Sequence, residues 1–201
     1  MPNQLRPALV LLTALTVITG LAYPLAMTGL AGALFPAKAA GSLIERDGRV
    51  VGSSLIGQSF TGAGYFHGRP SATTAPDPAD ASKTVPAPYN AANSSGSNLG
   101  PTSAALAERV RGDLEALKAE NAKTPVPVNL VTTSGSGLDP DISPEAAYFQ
   151  VPRVAGDRHV PEDRLRDFVT SRIAGRTFGI LGEPRVNVLA LNLALDELAR
   201  R

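Results

Sequence analysis

The chain has no cysteine and no tryptophan, two histidines in 201 residues, and few aromatic side chains. Without cysteine there is no disulfide, no thiol nucleophile and no thiolate zinc site. His67 and His159 alone are a thin basis for a transition-metal centre unless carboxylates complete it. An excess of charge of one sign is also missing. The formal net charge is +1, and the arginines near the end alternate with acids, as in Arg158, Glu162, Asp163, Arg164, Arg166 and Asp167. That pattern describes a solvated helix face and not the concentrated basic surface of a nucleic-acid binder.

What is present is one long apolar run. From Ala8 to Phe35, 28 residues carry no ionisable side chain except Tyr23. A helix rises about 1.5 Å per residue and a bilayer core is about 30 Å thick, so roughly 20 apolar residues cross it. Ala37-Lys38-Ala39 resembles a signal-peptide cleavage site. The apolar region of such peptides is about 7–15 residues long, however, whereas here it persists through Leu21, Leu25, Met27, Leu30 and Leu34. Residues 1–35 therefore read as a short tail and an uncleaved membrane anchor. Pro24 is tolerable there because neighbouring helices or threonine hydroxyls re-satisfy the backbone groups it frees. Thr16/Gly20 and Ala22/Ala26, each four residues apart, form a small-residue face suited to close packing with another helix. Arg6 precedes the run and Lys38, Arg46 and Arg49 follow it, a balance that leaves orientation open on charge alone.

Residues 36–201 are enough for one domain with its own core. Leu43–Arg46, Asp47-Gly48 and Arg49–Val51 predict a hairpin with an Asp-Gly turn, the beginning of a small sheet. Pro70, Pro76, Pro78, Pro86, Pro88 and Pro101, with few large apolar residues between them, mark residues 70–102 as a long excursion from that domain. Leu106, Val110, Leu114 and Leu117 recur at helical spacing and predict a helix with one face buried. Asn129–Thr133 reads as a strand running into the turn Ser134-Gly135-Ser136-Gly137. Ser143 as N-cap, Pro144 at the first position and Glu145 at the positive end open a helix that Pro152 should kink or end. A further helix is expected from Pro161 to about Ala174. Val186–Leu191 reads as a strand, and Leu191, Leu195 and Leu198 as a short amphipathic helix. The fold class is a single N-terminal transmembrane helix followed by one mixed α/β (α+β) soluble domain.

No segment carries a strong catalytic motif. The turn at 134–137 lacks the Lys-Ser/Thr of a phosphate loop, and Asp139 and Asp141 beside it would repel an anion. Asp139, Asp141 and Glu145 have neither the spacing nor the glycine of an EF-hand loop, and a structural turn is the simpler reading. Ser136 is not in a Gly-x-Ser-x-Gly elbow, because Ser134 occupies the first glycine position, and His159 reads as a surface residue.

Nine ordered segments give more. Leu21–Pro24, Gly57–Phe60, Tyr65–Ala72, Tyr89-Asn90, Gly96–Thr102, Ser134–Pro140, Ile142–Pro144, Gln150–Ala155 and Gly182–Leu189 together resemble the C subunit of the bacterial Kdp potassium-transporting ATPase, over nearly the whole chain. His67, where an aromatic residue is expected, and Asp141, where a histidine is frequent, depart from the pattern. The resemblance implies a non-catalytic subunit of a high-affinity, ATP-driven potassium uptake complex in the bacterial inner membrane. It implies a single span with the soluble domain outside the cytoplasm. The implied partners are an ATP-hydrolysing P-type subunit, a channel-like potassium-translocating subunit and a small single-span subunit. The chain itself has neither the Asp-Lys-Thr-Gly-Thr loop of a P-type pump nor a Thr-Val-Gly-Tyr-Gly filter, and one helix encloses no pore. The resemblance further implies a catalytic chaperone that raises the ATP affinity of its partner, so that no cofactor is intrinsic and ATP enters through the partner. It assigns Gln150 to nucleotide, while the residue pattern alone makes Gln150 a polar helix residue before Pro152. A membrane-anchored extracytoplasmic binding domain acting alone is the competing reading.

Overall fold

The computed structural model describes residues 2–199, and the chain falls into two compact units that part between Ser53 and Ser54. In the first, α1 (Pro2–Val17), a π-helical turn (Ile18–Ala22) and α2 (Tyr23–Leu34) form one continuous rod in which none of residues 3–34 is buried. Asn3–Leu34 is long and apolar enough to cross a membrane. The π turn sits directly before Pro24 and has a local cause. The Tyr23 amide donates five residues back to the Ile18 carbonyl, widening the turn where the proline ring would otherwise press on the preceding one. The Thr19 hydroxyl donates to the Leu15 carbonyl at 2.7 Å.

A short helix α3 (Pro36–Ala39) leads into β1 (Leu43–Arg46) and β2 (Arg49–Ser53). They pair antiparallel, with Arg46 opposite Arg49 across Asp47-Gly48. Both turn residues have positive φ, 52° and 73°, as a two-residue hairpin turn requires. The predicted hairpin forms, but the sheet expected to grow from it stops at two strands.

The second unit contains two more two-stranded ribbons, β3 (Thr74–Pro76) with β4 (Thr84–Pro86), and β5 (Asp141–Ile142) with β6 (Val186–Asn187). Its helices are α4 (Ala104–Glu120), α5 (Pro144–Arg158), α6 (Glu162–Thr170) and α7 (Val188–Ala199). The core is made where α5, α6 and α7 meet: Phe149, Val151, Val154, Leu165, Val169, Leu191 and Leu195 are buried, with Ile142 and Val186 from the β5–β6 ribbon and Phe66 from the loop region.

Ser143 caps α5 as predicted, its hydroxyl accepting from the Ala146 amide at 3.2 Å, and Ser103 caps α4 in the same way. Three expectations are corrected, and of the kink or end expected at Pro152 the end does not occur. Residues 129–133 form no strand. Val128–Leu130 is a 3-10 turn after Pro127, closed by the Thr132 hydroxyl donating to the Val128 carbonyl. Helix α5 runs through Pro152 to Arg158, because buried side chains on both sides of the proline hold it against the core. Asn121 donates to the Phe149 carbonyl at 2.9 Å beside the proline. The helix ends instead at His159, in the left-handed region at φ 55°, with the Val160 amide bonded to the Ala155 carbonyl. The third helix stops at Thr170, short of Ala174, which pairs with Arg185. Finally, the strand read over 186–191 is two residues long. The Asn187 carboxamide oxygen accepts from the Ala190 amide at 3.0 Å and starts α7, an N-cap signal that the apolar alternation concealed. Leu106, Val110, Leu114 and Leu117 of α4 face inward as the spacing predicts, but they are only half buried.

Candidate functional site

The feature that organises the second unit is segment 63–69, a turn running into irregular chain that belongs to no strand. Buried backbone amides and carbonyls need hydrogen bonds, and here side chains supply them. The Asn192 carboxamide accepts from the Phe66 amide and donates to the Phe66 carbonyl, both at 2.9 Å. One residue on, the Gln150 carboxamide accepts from the His67 amide at 2.8 Å and donates to the His67 carbonyl at 3.1 Å. Each carboxamide mimics one rung of a β-ladder, from α7 and from α5. Arg153 donates to the carbonyls of Ala63 and Tyr65, Arg158 to that of Gly64 at 2.6 Å, and the Tyr89 hydroxyl to that of Arg69 at 2.7 Å.

Gln150 is 2% exposed and its polar group is fully engaged. Its oxygen also accepts from Arg153 at 2.7 Å, and its nitrogen also donates to the Ala146 carbonyl at 3.2 Å. Two donor and two acceptor positions are therefore filled. Gln150 lines, together with His67, Arg69, Tyr89, Arg109 and Glu120, a cleft of about 500 Å³ between this segment and α4. Charges in its walls are closed in pairs: Arg69 to Asp139 at 2.8 Å, Arg109 to Asp113 at 2.6 Å and Arg153 to Glu120 at 2.8 Å. Burial pushes the His67 imidazole below its ordinary pKa, and its Nε2 lies 3.0 Å from the Gly62 carbonyl. Burial and the nearby Asp139 carboxylate push the Tyr89 phenol up to about 12.

Two glycines of the motif segments are explained by Tyr89. A Cβ on Gly68 would overlap its hydroxyl, and one on Gly57 would come within 2.5 Å of its ring and of the Asp139 carbonyl. The excursion at 70–102 is tied back in the same manner. Ser71 donates to the Gly137 carbonyl and Thr73 to the Ala87 carbonyl, while the Ser95 amide donates to the Ser136 carbonyl.

The turn at 134–137 is structural. The Ser134 hydroxyl accepts from the Gly137 amide at 2.8 Å and the Ser136 hydroxyl from the Leu138 amide at 3.1 Å. Asp139 and Asp141 go to Arg69 and Arg185, and no group of three metal-ligating side chains occurs among the described residues. His159 is exposed at the end of α5 and does not line the cleft. Asn192, Arg153 and Tyr89 were missed as site-forming residues. The available signal was a lone carboxamide in an apolar helical run, as in Leu189-Ala190-Leu191-Asn192-Leu193.

The segments clamped around the cleft coincide with the motifs that carried the resemblance, and direct comparison agrees with it. The model of the family described as KdpC, K+-transporting ATPase, c chain, matches residues 5–197. The chain belongs to the KdpC family. It is 82% identical, over the full length of both chains, to a potassium-transporting ATPase KdpC subunit of Methylorubrum extorquens. It is 81% identical to that of Methylorubrum populi and 69% identical to that of Bradyrhizobium diazoefficiens, again over the full length of both. Membership of a family so named connects the chain to potassium transport, and an N-terminal helix able to span a bilayer fits a membrane location.

Proposed function

We propose that this chain is the accessory, non-catalytic subunit of an ATP-driven potassium uptake complex. Its span docks against the ATP-hydrolysing and channel-like subunits, with a small single-span subunit beside them, and its second unit lies outside the cytoplasm. In this reading it raises the ATP affinity of the hydrolysing subunit without holding nucleotide itself. Such an effect is a coupling free energy between separate sites, typically about 1–3 kcal/mol or roughly 5–150-fold in affinity. The observation that carries the indirect route is the saturation of Gln150: all four hydrogen-bonding positions of its carboxamide serve the protein's own segment. Its connection to nucleotide affinity then runs through the shape of the clamped segment.

The test is made on the purified complex. A tagged copy drawn from potassium-starved cells in mild detergent is expected to bring a pump subunit and a channel-like subunit, with potassium-stimulated ATPase activity that fails without this chain. A chain eluting alone would return the reading to a free-standing anchored binder. Gln150→Ala and Asn192→Ala are then compared. If the clamp is what matters, both raise the apparent KM for ATP, although Asn192 does not line the cleft. A direct nucleotide contact predicts an effect from Gln150→Ala alone.

A further inference from the structure

Between α6 and β6 the chain makes a narrow hairpin whose tip has no role in its own core. Ala174 and Arg185 exchange hydrogen bonds at 2.8 and 2.9 Å, and Thr177 and Leu181 exchange another pair at 2.8 and 2.9 Å. The arm is braced by Arg176, which holds both carboxylate oxygens of Glu183 at 2.8 and 2.6 Å. At the tip, Phe178 and Gly179 both lie at positive φ, 54° and 77°, which turns the Phe178 ring out. Phe178 is 87% exposed, Ile180 74% and Leu181 57%. Phe178 and Ile180 are more exposed than any large apolar residue of the rod that is fit to span a membrane. Three exposed large apolar side chains within four residues at the tip of a folded unit point to an interaction site.

We propose that this tip inserts into the headgroup and acyl boundary of the phospholipid bilayer that the chain's own anchor crosses. Three observations favour lipid. First, the tether: about 20 residues separate the end of α2 from the second unit, a fully extended reach of at most about 70 Å, so the start of that unit stays tied within this distance of whatever bilayer the anchor crosses. Second, shape: a narrow convex tip needs a matching socket in a protein, whereas a bilayer admits it without complementarity. Third, charge: Arg172, Arg176 and Arg185 lie along the arm and the acids paired with them are Glu183 and Asp141, so this set carries one more cation than anions. Arg185 also reaches Asp141 at 3.3 Å, and Arg172 lies over the Phe168 ring at 5.2 Å. Arginines behind an apolar tip can lay their stems on apolar surface while their heads meet phosphates. The backbone ladder is already formed, so insertion orders little further chain.

The chain has no tryptophan, so Phe178→Trp gives a sole tryptophan at the tip, excited selectively beyond the tyrosine band, and Ala79→Trp, in the exposed turn between β3 and β4, gives a reference. Each full-length variant is reconstituted in vesicles of phosphatidylcholine and phosphatidylglycerol, and flotation with the vesicles reports the anchor independently. The expected result at position 178 is blue-shifted emission, quenching by lipids brominated in the acyl chain, and iodide quenching several-fold weaker than at position 79. Adding Ile180→Asp and Leu181→Asp should return position 178 to the reference behaviour. Floating protein whose position 178 emits and quenches like position 79 overturns the proposal with the anchor intact, and protein that does not float removes both. A blue shift that arises only after partner subunits are added also overturns it, in favour of a protein socket.

Discussion

Residues 144–199 and residues 54–103 of the second unit keep their shape by different means. The first stretch is three helices around a common apolar core of phenylalanine, leucine and valine. The second has no helix before α4 and only one short ribbon. It is held by single side chain to backbone bonds: Asn192 and Gln150 reach 66 and 67, Tyr89 reaches 69, Thr73 reaches 87, and Ser71 reaches out to Gly137. Apolar burial is non-directional and scales with area, so a helical core tolerates swaps of similar volume. A hydrogen bond to a buried backbone group depends on one atom in one place, and its loss leaves a partner unsatisfied. The two halves should therefore fail differently when mutated.

The largest effect is expected in the helical half. Phe149→Ala should cost about 3–5 kcal/mol of unfolding free energy, while a swap that conserves more volume, Phe149→Leu, should cost much less. Denaturant titration of the full chain in detergent measures both, and equal costs would contradict a core governed by volume. Asn192→Leu inverts that logic. It keeps the volume but strands the Phe66 amide and carbonyl, and should cost about 3 kcal/mol. A change under about 1 kcal/mol would mean that water or a neighbour replaces the clamp. The smallest and most conditional effect belongs to Tyr89. At neutral pH, Tyr89→Phe should cost about 1 kcal/mol for the lost bond to the Arg69 carbonyl. The folded phenol holds its proton to about pH 12, against 10 when unfolded. The native state therefore binds more protons between those values, and wild-type stability falls as pH rises through that window. Phenylalanine does not titrate, so the deficit of the variant should narrow from pH 10 upward. A constant difference between pH 7 and pH 11 would place the ionisation elsewhere.

These outcomes bear on what could be read before the fold was known. The Ser143 cap, the Asp47-Gly48 turn and the inward row of α4 are local signals, complete within a few residues, and each appears where the pattern put it. The failures are also local readings. Apolar alternation over Val186–Leu191 fits a strand and a helix equally well until Asn187 is seen to cap. Pro152 ends isolated helices, but here packing on either side of it outweighs the lost bond. Of the cleft, Gln150 was legible as a residue that mattered, but not as a clamp.

The sequence by itself determined the membrane-spanning run, the soluble domain that follows it, the absence of thiol chemistry and, through ordered motifs, the KdpC family. Those properties are sums over neighbours along the chain or over composition. Only the tertiary structure decided that Gln150 meets His67 across 83 residues and Asn192 meets Phe66 across 126, and that Phe178 is left uncovered. A carboxamide has the same chemistry wherever it stands. Which backbone group it satisfies is fixed by the packing of α5 and α7 on the loop, and no periodicity in the sequence encodes that distance.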